Sequence, residues 1–341
     1  MESIKKSSIK EELAGCFRAD IENVSKTLAD YCALTHTKAV PELEQALFRW
    51  LDFRMRFVDP KPRPLVYSAA FPKQIPDNVQ QALSDFERHS ATGDDLNPFQ
   101  GKGLTMYHDT SGVKRQNRTD HLWAEWNIHH FHLAPLASGA GQYYSERSGW
   151  LLFAVIFDNA IACIDVTDHG KGAMENRSLI ENFIRNWPEA AEPFRFKGIL
   201  PPLSQPSEED IKKARVGGYS LPVVVDGSVY APGGITSAST AERVSLAGIH
   251  IAHGTRAAAQ LVMGEMEREG SELSEEDLPH LSVALTPRGL GIFDDRTSKC
   301  WPLPRPTGPW VKHAAARMHD LVLPEWIAAK IAEAFTNTTS P

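Results

Sequence analysis

Apolar residues recur at helical spacing through the first part of the chain: Ile9, Leu13 and Phe17, then Leu43, Leu47, Trp50 and Leu51. This period predicts helices within residues 1–58, the second running from about Glu42 to Phe57. The run Asp59-Pro60-Lys61-Pro62-Arg63-Pro64 stops it, because prolines remove the backbone donors a helix needs. Pro64–Ala70 then reads as a short strand and Asp77–Arg88 as a helix. Residues 89–120, rich in Gly, Asp, Asn, Thr and Ser, read as a long loop, and loops of that length are usually functional or disordered.

From residue 126 the texture becomes that of a sheet. Trp126–Leu133, Trp150–Phe157 and Ala160–Val166 predict strands, the last two joined by a tight Asp158-Asn159 turn. A helix follows from Met174 to Trp187 and stops at Pro188. The Pro/Ser/Glu-rich stretch 200–215 reads as a connection. Beyond it come a hairpin around Asp226-Gly227, a helix from Ala241 to Glu269, and strands His280–Leu285 and Leu290–Phe293. A proline-rich extended arm, Trp301–Trp310, leads into a helix from Trp310 to Phe335, broken at Pro324. The expected fold class is α+β: a central antiparallel sheet flanked by a helical N-terminal region and a mixed α/β C-terminal region. The expected divisions are 1–95, 96–200 and 201–341.

Composition narrows the class. The chain has 341 residues, 42% hydrophobic and 23% charged, as globular proteins do. Its net charge of −7 argues against a sequence-nonspecific nucleic-acid coat protein, while leaving room for a local basic site. The longest apolar run, Trp150–Phe157, falls far short of the roughly 20 residues that span a bilayer. No apolar run follows the early lysines, as a secretory signal requires. A cytoplasmic protein with no membrane partner is expected. Cys16, Cys32, Cys163 and Cys300 form no CxxC pair, which argues against zinc fingers and redox motifs, and Cys163 reads as a core residue.

The candidate chemistry lies between His129 and His169. Side chains alternate along a strand, so His130 and His132 share a face with Ile128, and His129 shares the core-like face with Phe131 and Leu133. The third strand ends near Asp165, with Asp168, His169 and Lys171 beyond it. The loop between the first two strands carries Tyr143, Tyr144, Glu146 and Arg147. Strand pairing would bring these groups together. Such a set suits acid–base work on a phosphodiester, with one histidine taking a proton, another giving one, and arginine balancing phosphate charge. The same residues admit a metal site, His130, His132, Asp165 and His169 around Zn or Mn, although HExxH is absent. They also admit an ordinary sheet with hydrogen-bonding histidines.

Other segments carry weaker signals. Lys114, Arg115 and Arg118 form a basic loop suited to substrate binding. Gly101-Lys102-Gly103 is too short for a phosphate-binding loop. Arg49, Arg54, Arg56, Lys61 and Arg63 read as a solvated face at a helix end, or else as a polyanion-binding patch. Pro232-Gly233-Gly234 opens a helix as a turn with an N-cap at Ser239 or Thr240, and His250 and His253 lie on that helix.

The stretch Ile128-His-His-Phe-His-Leu, continued by Arg147-Ser-Gly-Trp-Leu-Leu-Phe-Ala-Val-Ile-Phe-Asp-Asn-Ala-Ile-Ala-Cys-Ile-Asp-Val-Thr-Asp-His169, resembles the central hairpins of RelE/ParE-like bacterial toxins. The likeness covers residues 125–170 of a chain that is longer and more acidic than those toxins. Blocks flanking it, Arg49–Phe57 and Asn186–Glu189, resemble uncharacterised bacterial proteins and imply no function. The toxin resemblance implies metal-independent messenger-RNA cleavage by residues on the sheet. Arg147 would match the phosphate-binding arginine and His169 the histidine after the third strand. His130 and His132 would add acid–base groups, with Tyr144 and Lys171 in support. It implies RNA as the substrate and a possible antitoxin or regulatory partner; a homo-oligomer is also open. The rival to both enzymes is a binding or regulatory protein that uses the basic loop 114–118 and the Trp/Pro arm.

Overall fold

The computed structural model of the chain describes residues 2–36, 45–107, 120–135, 142–146, 148–170, 173–174, 176–202, 204–236, 240–305 and 313–338. The fold is α+β, as the pattern predicts, and divides into two compact units. One comprises Met1–Leu34, Val40–Arg54 and Val244–Pro341, the other Thr35–Ala39 and Met55–Arg243. The two ends of the chain pack in one unit, and residues 201–243 belong with the sheet.

In the first unit, the helix Glu2–Tyr31 buries Ile9, Leu13 and Phe17, the residues whose spacing predicts it. The helix Glu242–Arg268, nearly all of it in this unit, ends at Gly270, whose φ of 81° suits a residue without a side chain. Leu281–Thr286, Gly289–Asp294 and Lys299–Pro302 form an antiparallel sheet. The start of the expected extended arm is thus a strand, paired through Trp301 and Ile292. The last predicted helix is two, Ala314–Val322 and Glu325–Thr338, separated at Pro324. Among the described residues, no helix is long and apolar enough to cross a membrane.

The second unit is built on a four-stranded sheet: β1 (Leu65–Tyr67), β2 (Ile128–His132), β3 (Trp150–Ile156) and β4 (Ile161–Asp168), in the order β1-β4-β3-β2. β2, β3 and β4 form the expected antiparallel meander, but β1 pairs with β4 in parallel, so the sheet is mixed. The turn at Asp158-Asn159 closes with a hydrogen bond from the Phe157 N–H to the Ala160 carbonyl, 2.9 Å.

Both faces of this sheet are covered, which explains the unbroken apolar run of β3. Phe131, Leu152 and Cys163 pack against Val79, Leu83 and Phe86 of helix α1 (Asp77–Thr92). The rings of Phe86 and Phe131 lie 5.0 Å apart. On the other face Ile128, Leu151 and Phe153 meet Leu179, Ile180 and Phe183. Those three come from a helix that follows α2 (His121–Trp126) in the chain, namely α3 (Arg177–Asn186). The predicted hairpin forms around Asp226 and Gly227, whose φ values of 49° and 75° are those of a type I′ turn.

Residues 201–243 are tied to the sheet by a buried ion pair. The Arg215 guanidinium, at the end of α4 (Glu208–Val216), donates to both carboxylate oxygens of Glu125, the closest contact being 2.6 Å, and to the Met174 carbonyl. Ser220 donates a further hydrogen bond to Glu125 at 3.0 Å. Polar residues read as a linker therefore cover a core. The basic stretch before β1 also departs from the solvated reading. Arg56 and Arg63 are buried, Arg56 donating to the Gly103 carbonyl and Arg63 to those of Phe157 and Asp59.

Replacing Arg215 with alanine leaves the Glu125 carboxylate buried without its cation and costs about 3–5 kcal/mol of stability. Chemical denaturation will show a large fall for Arg215→Ala and a smaller one for the paired Glu125→Gln, Arg215→Met change. Equal losses would mean that the charge itself is not what the second partner satisfies.

Candidate active site

The alternation of β2 separates its three histidines. His129 turns to the Phe131 side and is buried, as predicted. Burial pushes its imidazole pKa down to about 3, and neighbouring Arg243 and Arg56 add to that against the pull of Asp120. His130 and His132 turn the other way. Strand register then decides what they meet. His132 pairs across Leu151, which pairs with Thr167. Past the end of β4, the His169 N–H still bonds to the Gly149 carbonyl, so the meander is extended one residue further. The ring of His169 consequently lies over that of His132, with centroids 5.9 Å apart and planes 15° from parallel. His130 and His132 are 6.0 Å apart, nearly edge to face. The three predicted histidines form one row.

An acidic residue that the sequence reading does not single out stands at the inner end of this row. Asp120 caps α2, its Oδ1 accepting the Trp123 N–H at 3.2 Å, while its Oδ2 lies 2.8 Å from His130 Nδ1. Burial alone would push this carboxyl up. The nearby His130, the Trp123 N–H and Arg56 outweigh that and hold it well below the usual carboxylate range. Asn127, in the left-handed region at φ 60°, turns the chain from α2 into β2 and accepts a hydrogen bond from Arg243. The turn brings Asp120 and His130 face to face although they are ten positions apart. The legible signal was the N-cap position of Asp120 before a short apolar helix.

The outer end of the row opens into a cavity of about 490 Å³. It is lined by His132, His169 and Asp168 together with Lys102, Tyr144 and Glu146. Gln100, Ser145 and Ser148 add further polar groups. Tyr144 is held by Thr105, whose N–H donates to the Tyr144 hydroxyl at 3.2 Å and whose Oγ1 lies 2.6 Å from it. Tyr143 donates to Asp95 at 2.7 Å, and the Ser145 N–H to the Pro98 carbonyl at 2.8 Å. These bonds fasten the 142–146 segment to the 95–105 segment. Lys102 and Gln100 thus belong to the candidate site even though Gly-Lys-Gly is no phosphate-binding loop; their contribution is tertiary and carries no motif.

The remaining sequence candidates divide as follows. Arg147, Lys171, Lys114, Arg115 and Arg118 lie outside the described residues. Asp165 faces His130 only across Phe153, one strand spacing from each, which puts the two backbones about 10 Å apart. Its half-buried carboxyl accepts the Val166 N–H at 2.8 Å and is raised above the usual range by burial. Among the described residues, no group of three or more His, Cys, Asp or Glu side chains is placed to hold a metal ion.

Comparison of the chain with family models, curated proteins and solved structures finds no match. The site is therefore read from its own chemistry.

His129 makes the fold sensitive to acid. Its folded pKa lies below the unfolded value of about 6.5, so its contribution is fully present above pH 6.5 and is lost as pH falls toward 3. Asp120 adds a further loss only below its ordinary value of 3.8. Urea midpoints will fall between pH 6.5 and 4 in the wild type, and more gently in His129→Leu. An unchanged slope in that variant would assign the acid sensitivity to other groups.

Proposed function

We propose that the chain is a metal-independent endoribonuclease of RelE-like type, a toxin or defence effector, acting at the cavity where His132 and His169 meet. The observation that carries this reading is their 5.9 Å ring separation at a cavity wall. A hydrogen bond spans about 3 Å, so two such groups reach the attacking and leaving oxygens of one phosphodiester together.

The chemistry balances without a metal or redox partner. One histidine takes the proton of the ribose 2′-hydroxyl. The 2′-oxygen forms a bond to phosphorus while the bond to the 5′-oxygen breaks, and the second histidine, protonated, gives its proton to that leaving oxygen. The products are a 2′,3′-cyclic phosphate and a 5′-hydroxyl end. Histidine suits both roles because its unperturbed pKa of about 6.5 is close to neutral. Lys102 brings positive charge to the cavity, and Arg147, between the lining residues Glu146 and Ser148, serves in this reading as the phosphate-holding arginine. His130 and Asp120 back the pair: the carboxylate orients His130 beside His132. Tyr144 shapes a wall, Lys171 supports the charge, and Lys114, Arg115 and Arg118 hold the RNA backbone. The resemblance of residues 125–170 to RelE/ParE-like toxins supports the same reading, along with its cytoplasmic setting and a regulatory partner.

Purified protein will cleave cellular RNA with EDTA present, leaving cyclic-phosphate ends. His132→Ala and His169→Ala will each slow cleavage by roughly 10²–10⁴-fold, the usual contribution of a positioned acid or base. Loss of wild-type cleavage in EDTA would move the reading to a metal-dependent hydrolase on the same histidines. Absence of cleavage in every condition would leave a binding protein.

A further inference from the structure

The proton transfers of the proposed cleavage leave the histidine pair altered. The histidine that takes the 2′-hydroxyl proton ends the step charged, and the one that protonates the 5′-oxygen ends it neutral. An acid then stands beside the 2′-oxygen, and a base stands at the place the 5′-oxygen has left. Those are the two groups that the opposite transfer needs. His132 and His169 are chemically alike, with ring centroids 5.9 Å apart at one cavity wall, so the roles can be exchanged between them.

The rest of the lining suits the two other parties to such a step, a cyclic phosphate and a water. The non-bridging oxygens of a cyclic phosphate only accept hydrogen bonds, and Lys102, Ser145 and Ser148 bring donors to the cavity. Ser148 Oγ accepts the Trp150 N–H at 3.0 Å, which leaves its own O–H to donate. A held water needs several polar partners, among them acceptors for its protons. Glu146 and Asp168 supply carboxylates. Gln100 donates through its amide nitrogen to the Arg56 carbonyl at 3.1 Å and to Asn97 Oδ1 at 2.8 Å, so its carbonyl oxygen is what it offers the cavity. The volume of about 490 Å³ is that of a small-molecule site.

We propose that the same cavity hydrolyses nucleoside 2′,3′-cyclic phosphates, opening them to 3′-phosphates. The proposal rests on the endoribonuclease reading for the roles of the two histidines, and adds to it a second activity and a small-molecule substrate class. The neutral histidine takes one proton from water. The water oxygen forms a bond to phosphorus as the bond from phosphorus to the 2′-oxygen breaks, and the charged histidine gives its proton to that 2′-oxygen. The second proton of the water stays on the new phosphate oxygen. The products are a 2′-hydroxyl and a 3′-phosphomonoester, and the pair returns to the protonation with which cleavage began. On RNA, cyclic ends therefore appear first and are then converted to 3′-phosphate ends.

Supplying the cyclic ester directly tests this step without any cleavage of RNA. The full-length chain is incubated with each of the four nucleoside 2′,3′-cyclic monophosphates in EDTA, and the products are followed by phosphorus NMR. The expected result is conversion of at least one of them to its 3′-monophosphate, slowed roughly 10²–10⁴-fold in His132→Ala and in His169→Ala. His132→Gln and His169→Gln keep much of the side-chain bulk and are measured beside the alanine variants, with urea midpoints, so that lost chemistry is told from lost folding. All four esters left intact, or opened chiefly to 2′-monophosphates, overturns the proposal. Conversion that persists in folded variants of either histidine overturns it as well. The RNA assay separates the two readings. Hydrolysis of a cyclic ester with RNA uncut keeps the second activity and removes the endonuclease. RNA cut to cyclic ends that persist, with the free esters intact, removes the second activity and keeps the endonuclease.

Discussion

A buried carboxylate must have its charge answered, and the six-residue helix α2 carries two that are: Asp120 just before its first residue and Glu125 near its end. Leaving either unanswered in a low-dielectric interior would cost more than most single contacts return. The answers come from distant segments. Arg215 reaches Glu125 from ninety positions away, and His130 reaches Asp120 across the helix-to-strand turn. Satisfying these two charges fixes where α4 docks, how β2 begins and which way its first histidine faces. The rest of the sheet unit is arranged around that junction.

The histidine row follows from the same constraint combined with strand geometry. A single histidine on a sheet face is an ordinary polar residue. Three in a row, with a carboxylate at one end and a cavity at the other, are no longer equivalent: only the outer two line the cavity. The fourth histidine of this group, His129, shows what the opposite face does to the same side chain: packed beside Phe131, it is kept neutral by burial. One residue step along a strand separates an imidazole packed beside Phe131 from one set against a carboxylate.

Much of this was legible in the chain. Alternation separated His129 from His130 and His132, the Asp158-Asn159 turn set the β3–β4 pairing, and together they implied that His132 and His169 approach. Three things were not legible. The parallel strand β1 is a three-residue edge strand whose partner lies almost a hundred positions away, and no local pattern encodes such a pairing. The 200–215 stretch looks like a linker because its composition is polar, yet one arginine there is buried against an acid, and composition does not distinguish a buried charge from a solvated one. Lys102 and Gln100 sit in turns whose sequence has no periodicity, so their arrival at the cavity is a tertiary fact only. Contiguity in sequence also differs from contiguity in space: Leu13 and Ile251, far apart in the chain, belong to one packed unit.

The sheet is covered on both faces, so its middle has no room for side chains that change with a ligand. The histidines are fixed by strand register and a buried charge, while Gln100, Lys102, Tyr144 and Glu146 in the walls around them come from segments held by a handful of hydrogen bonds. The histidine row and the cavity walls are thus separately mutable parts. A lineage descending from this chain could reshape what the cavity admits by rewriting two short loops, while strand register keeps the three histidines in place.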